Sequence, residues 1–201
     1  MLFTTQKIVV QLHRNVPVHR RQNMYHISND IRSKKSAENI CSALLDYAGR
    51  VPFEEITVAG LHKNYLISRT TFYRLFDNTV DVLEYMVDNM AREILLNLKG
   101  DTTKELVIDA ISGLMKRQEL ILLLFRIGRL DLFCKKGEEF IPQSRIAPKE
   151  SAGAELFYKF LAYLIPIFLE VWIKNGQKDS PEDLYVQICQ GIHILDVWLW
   201  Q

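Results

Sequence analysis

Between Thr57 and Arg74 the chain gathers side chains suited to holding and reading a polyanion: Thr57, Lys63, Ser68, Arg69, Thr70, Thr71, Tyr73 and Arg74. An arginine can donate bidentately to a guanine edge, and a threonine can touch a thymine methyl. Hydroxyls, phenols and ammonium groups bond phosphates. In this stretch Arg69, Thr70 and Tyr73 are the candidates to meet bases or adjacent backbone. Thr57, Ser68 and Thr71 are candidates to position phosphates, and Lys63 and Arg74 add charge. Double-stranded DNA is the partner this chemistry fits. The rest of the chain offers no competing catalytic set. It has no nucleophile elbow, no H-E-x-x-H, no P-loop and no G-x-G-x-x-G. His13, His19, His26, His62 and His193 do not fall at ligand spacing from carboxylates or cysteines, so no metal, cofactor or enzyme activity is expected.

Two short helices must present these groups. Thr57 can cap the first, whose apolar positions Val58, Leu61 and Tyr65 recur at helical spacing. Ser68 offers a second cap for Arg69 to Phe76, with Phe72 and Phe76 on the side facing a core. Arg69, Thr70, Tyr73 and Arg74 take the other side. A pair of helices with a tight link, the second outward-facing and polar, is a helix-turn-helix able to lay one helix in a major groove.

The pattern ITVAGL, ISRTTFYRLFDN and DVL, preceded by AENICSALLDYAGRVPFEE, resembles the N-terminal domain of the tetracycline-repressor-like (TetR/AcrR) regulators over about residues 36–85. The resemblance implies an all-α homodimer. Its three-helix DNA-binding domain would be followed by a helical bundle for ligand binding and dimerisation, which reads a palindromic operator, answers to a small-molecule effector and usually represses. Several positions depart from the family pattern. Tyr65 and Leu66 stand where a small residue and Gly are usual, so another residue must absorb the left-handed turn, and Asn64 is the expected one. His62 replaces a small residue, Leu75 a common histidine, and Thr79 a phosphate-binding lysine. These changes keep open a second class of function: an interaction protein on the same scaffold that acts through a partner regulator or effector, without operator binding or as an activator.

The chain has 201 residues, enough for two small domains sharing an interface, and its 48% hydrophobic content with few prolines and glycines fits packed helices. The net charge of +1 hides an asymmetry. Residues 1–35 carry Lys7, Arg14, Arg20, Arg21, Arg32, Lys34 and Lys35 against Asp30 alone, which leaves the remainder net acidic. The body is therefore no general polyanion binder; DNA affinity must come from a few placed cations and be salt-sensitive. Cys41, Cys134 and Cys189 lie far apart, against a disulfide or metal framework, and Cys134 beside Lys135 and Lys136 reads as a buried helical thiol rather than an oxidant sensor. No uninterrupted apolar run reaches the roughly 18 residues of a membrane span. Residues 160–169 come nearest, broken by Pro166, and the N-terminus lacks a signal-peptide pattern. A reducing cytoplasm is the expected compartment, with no membrane partner.

The expected organisation is a basic flexible arm over 1–32, the helix-turn-helix domain over 33–80 and a regulatory and dimerisation domain over 81–201. The arm reads either as a groove-tracking extension or as a solvated leader. Helix 36–47 should start at Ser33 or Ser36 and end at Gly49. A long helix from Asn78 or Thr79 should bury Leu83, Met86, Val87, Met90, Ala91, Ile94 and Leu98. The next should be capped by Thr102 or Thr103 and bury Val107, Ala110, Ile111 and Leu114. Residues 119–133 read as one central helix, with Arg126 in a solvated turn and Arg129 near Asp131, and 137–151 as a loop. Helix 152–174 should bury Phe157, Phe160, Leu161, Leu164, Phe168 and Trp172 and kink at Pro166. The last helix has the strongest start, Ser180-Pro181-Glu182-Asp183, and should line one side with Leu184, Ile188, Gly191, Ile192, Leu195 and Trp198. His193, near Asp196, could touch a ligand or the dimer seam, a satisfied or solvated histidine being the plainer reading. The two final helices are the expected dimerisation pair. Phe125, Phe133, Tyr158, Tyr163 and Trp172 are candidates to line an effector cavity, though core packing is the plainer reading.

Overall fold

The computed structural model describes residues 25–144 and 153–199, without the side chains of Leu195, Asp196, Trp198 and Leu199. The expectations for residues 1–24, for 145–152 and for the side chains of Leu195, Asp196 and Trp198 fall outside the described residues. What is described is all-α: α1 (Ile31–Ala48), α2 (Val58–Tyr65), α3 (Arg69–Leu75), α4 (Thr79–Leu96), α5 (Thr103–Met115), α6 (Gln118–Arg126), α7 (Leu130–Phe140), α8 (Ala154–Lys174) and α9 (Pro181–Leu199). Short 3-10 turns occupy Phe53–Glu55 and Ile141–Gln143.

Most starts follow local chemistry. The Thr102 side chain accepts from Glu105 N, while the Glu105 carboxylate accepts from Thr102 N. Asn78 and Asp81 make the same reciprocal box at the head of α4, and Ser180 and Asp183 repeat it at α9. Each such cap satisfies amide donors that a helix start leaves unpaired and contributes about 1 kcal/mol. Helix α1 begins earlier than its apolar stripe indicates. Asp30, not Ser33 or Ser36, caps it by accepting from Ser33 N at 3.3 Å.

Residues 25–30 also depart from the flexible arm expected there. Tyr25 pairs with Phe76 in an isolated antiparallel bridge, and His26 N donates to the Leu75 carbonyl at 2.9 Å. The Tyr25 ring stands edge-on to Tyr85, centroids 5.1 Å apart. An extended segment with an aromatic to bury gains more from this pairing than from solvation.

Helices α1 to α4 close around one core: Ile40, Leu44, Leu61, Phe72, Leu75, Phe76, Val82, Leu83 and Val87 are all essentially inaccessible. Each buried phenylalanine stabilises the fold by roughly 1.5–3 kcal/mol. The core runs on through α6 by way of Leu120, Ile121, Leu123 and Leu124. The single helix expected over 119–133 is two, because Gly128 at φ 67° turns the chain between α6 and α7. Helix α7 then runs through the first four residues of the expected loop, to Phe140, and a 3-10 turn follows at Ile141–Gln143. Arg129 bonds Asp131 at 2.9 Å as expected, but Arg126 is no free surface group: its Nη2 donates to the carbonyl of Ala48 at 2.6 Å, capping α1.

Helix α8 packs most closely on α7, where a Cβ at Gly137 would stand 2.9 Å from the Ala162 Cβ. It runs unbroken through the buried Pro166. Its inward side is Ala162, Pro166, Leu169 and Trp172, and Phe160 faces out, against expectation. By length and composition α8 is apolar enough to cross a membrane, with only 22% of its most apolar stretch buried in this chain. Helix α9 lies mainly against α5 rather than forming a closed hairpin with α8.

Candidate nucleic-acid interface

Helix α3 owes its orientation to what lies behind it. Phe72 and Leu75 point inward, and Phe76 follows at its end, so Arg69, Thr70, Tyr73 and Arg74 are left on the solvent side. Tyr73 is 55% exposed and its ring meets Phe72 edge-on at 5.6 Å, which fixes the phenol's direction. Lys63 is exposed on the neighbouring α2. Neither it nor Arg69 nor Arg74 forms an ion pair among the described residues. Three cationic heads are thus exposed on the two-helix unit without an ion pair among the described residues.

The hydroxyls differ in what they have left to give. Thr57 accepts from Gly60 N at 3.0 Å, so its proton is available outward. Ser68 accepts from Thr71 N at 3.0 Å and donates to Thr71 Oγ1 at 2.8 Å. Its own proton is committed, while that of Thr71 is not. Thr57 and Thr71 are therefore the better phosphate donors, and Ser68 serves mainly to start the helix. Thr70 is exposed beside them.

The turn between the helices is solved differently from the expectation. Leu66, not Asn64, adopts the left-handed conformation, at φ 58° and ψ 23°, and its side chain is 88% exposed. Asn64 instead donates from its amide to the Gly60 carbonyl at 2.9 Å. His62 Nδ1 donates to the Ile67 carbonyl at 3.1 Å, tying the end of α2 to the start of α3. The residue that breaks the family pattern is thus part of what holds the turn.

Three residues to which the sequence reading gave no part in a site, Asp46, Arg50 and Tyr65, border this face. Tyr65 OH donates to Asp46 at 2.7 Å, and Arg50 pairs with the same carboxylate at 2.6 Å. The Tyr65 bond, then Arg50, holds the Asp46 carboxyl below its ordinary range. The one acidic group of this cluster is thereby spent on neighbours. An i, i+4 Asp–Arg spacing was its only sequence signal. With Asn39, Ser42, Leu66 and Ser68, the side chains of Asp46 and Tyr65 line an open groove of about 520 Å³ between α1 and the turn.

Thr79, where the family pattern has a lysine, opens α4. Behind it, buried Asp81 accepts from Asp77 N and Asn78 N, fixing the exit from α3. Burial pushes the Asp81 carboxyl up despite these bonds.

In the helical bundle a cavity of about 70 Å³ is lined by apolar groups alone. It lies between α5, α8 and α9, with Ile111, Leu164, Phe168 and Ile188 among its walls. The five aromatics expected around an effector do not line it. Among the described residues no group of three or more histidine, cysteine or acidic side chains is placed to hold a metal. Cys134 is buried, and burial pushes its thiol up to about 12, as it does that of Cys41.

No family model and no curated protein sequence matches the chain. Among solved structures it is similar to one described as "Dihydroxyacetone kinase operon activator DhaS", with a TM-score of 0.55 and 20% identity, covering 80% of this chain and 95% of that one. At that identity the likeness is one of fold. It places the all-helical architecture among folds that include a transcriptional regulator.

Proposed function

We propose that the chain is a TetR-like, dimeric, DNA-binding transcriptional regulator that reads an operator through α3. The observation that carries this is the two-sidedness of Arg69–Leu75: buried Phe72 and Leu75 anchor it, and Arg69, Thr70, Tyr73 and Arg74 face outward free of ion pairs. Thr57, Thr71 and Lys63 would bind the flanking phosphates, with Ser68 presenting the helix start to the backbone. DNA in the cytoplasm is the partner.

A second copy of the chain is the proposed occupant of the outer face of α8 and α9. Leu156, Phe160, Tyr163, Ile167 and Val171 form one exposed stripe on α8, and Val186 is 50% exposed on α9. The same stripe gives α8 its membrane-like composition, and a twin helix buries it as well as lipid would.

The test is footprinting on the DNA upstream of the chain's own gene. Arg69→Ala should lose roughly 1–3 kcal/mol of binding and relax base choice at the contacted position. Unchanged affinity and unchanged choice would remove Arg69 from the reading surface.

A small-molecule effector is the proposed input: an open groove of about 820 Å³ lined by Glu38, Tyr85, Arg92 and Lys116 among others has the size and polar groups usual for such a site, whereas the 70 Å³ cavity of the bundle is too small for one. DhaS is described as an activator, whereas the family resemblance implies repression. A reporter driven by the upstream DNA reads the sign.

A further inference from the structure

We propose that Asp88 is the joint through which the helical bundle sets the tilt of α3, with Tyr25 and Lys136 as the two residues that position it; this rests on α3 being the DNA-reading helix. Asp88 belongs to α4, and only 5% of its side chain is exposed. Tyr25 OH donates to its Oδ2 at 3.0 Å, and Arg92 Nε donates to the same oxygen at 2.8 Å. Lys136 Nζ lies 2.8 Å from Oδ1. Burial opposes the charge on Asp88, but Arg92, Lys136 and Tyr25 outweigh it and hold the carboxyl below its ordinary range.

The two ends of this arrangement lie in different parts of the molecule. Tyr25 is bridged to Phe76, and the next amide, His26 N, donates to the Leu75 carbonyl at the end of α3. Lys136 belongs to α7 and is itself held by Glu139 at 2.8 Å and by the Phe140 ring. Its neighbour Gly137 is the point where α7 presses on Ala162 of α8. A shift of α7 along α8 therefore moves Lys136, and with it Asp88, Tyr25 and the last turn of α3.

Packing alone does not call for such a group. A buried carboxylate with its partners gives back little more than its desolvation removes, and its best-attested use is to fix one arrangement among alternatives. Here the arrangement fixed is the register of the reading helix against the bundle. Coupling of this kind needs a contiguous set of contacts that both ends can bias, and Tyr25, Asp88 and Lys136 supply one.

The test uses the full chain and compares Lys136→Met with Lys136→Arg. Amide exchange should show His26 opening about tenfold faster in Lys136→Met, with Leu44 and Phe72 still protected, and near-normal exchange in Lys136→Arg. On the footprinted DNA, inserting one base pair between half-sites should weaken the wild type about tenfold and Lys136→Met less than threefold. Should Lys136→Met fail to fold, the isosteric Asp88→Asn carries the same two measurements. Unchanged His26 exchange, or a rise shared equally by Leu44 and Phe72, overturns the joint. Failure of the wild type to bind any upstream DNA sinks the DNA-reading assignment instead, and the exchange result then decides the joint by itself.

Discussion

Leu66 holds a conformation that its own side chain disfavours. At φ 58° its Cβ crowds the following carbonyl, and with 88% of the side chain exposed nothing packs against it in return. The turn persists because Leu66 N donates to the His62 carbonyl and the His62 ring reaches Ile67. Leu66→Gly should therefore raise stability by about 0.5–1 kcal/mol in urea unfolding, the relief of strain exceeding the extra chain entropy of glycine. The need for a left-handed residue was visible in the sequence as a missing glycine, but not which residue would supply it. Asn64 has the better intrinsic preference by a small margin. The chance to bond Gly60 keeps it helical and passes the turn to Leu66. The caps at Thr57, Ser68, Thr102 and Ser180 were legible because each depends on residues within three positions. Tyr25 was not, since its partners Phe76 and Asp88 lie more than fifty residues along the chain.

At the level of elements, apolar periodicity identified the helical segments better than their ends. The run from Leu120 to Phe133 keeps a helical spacing across Gly128, so only that glycine marked the break. The break turns α7 back so that Gly137 can meet α8 closely. A Cβ there would lie 2.9 Å from the Cβ and 3.2 Å from the Cα of Ala162, a backbone atom that cannot swing aside. Gly137→Val should destabilise the chain by roughly 1–3 kcal/mol through overpacking, read as a lower urea midpoint with an unchanged slope. An unchanged midpoint would mean that α7 and α8 are free to separate. The orientation of α3 was legible for a complementary reason. From Arg69 to Phe76 the pattern must bury Phe72 and Phe76, and helix geometry then leaves Arg69, Thr70, Tyr73 and Arg74 to the other side; that Leu75 is buried with them came from the structure.

For the molecule as a whole, the apolar stripe on α8 is the feature a lone chain leaves unanswered. If a second copy covers it, Ile167→Glu combined with Val171→Glu should yield a folded monomer in sedimentation, because two carboxylates would be forced into an apolar seam. A monomeric wild type would assign the stripe elsewhere. The monomeric variant should also bind the footprinted DNA far more weakly, because one helix in one groove gives up the gain from a tethered pair. The apolar 70 Å³ cavity among α5, α8 and α9 has a mechanical consequence of its own. Its hydrocarbon walls, the Phe168 ring among them, leave that volume unfilled by protein while folded, and water takes it up when the chain opens. Hydrostatic pressure should therefore act first on this corner of the bundle, with unfolding there shrinking the system by tens of mL/mol.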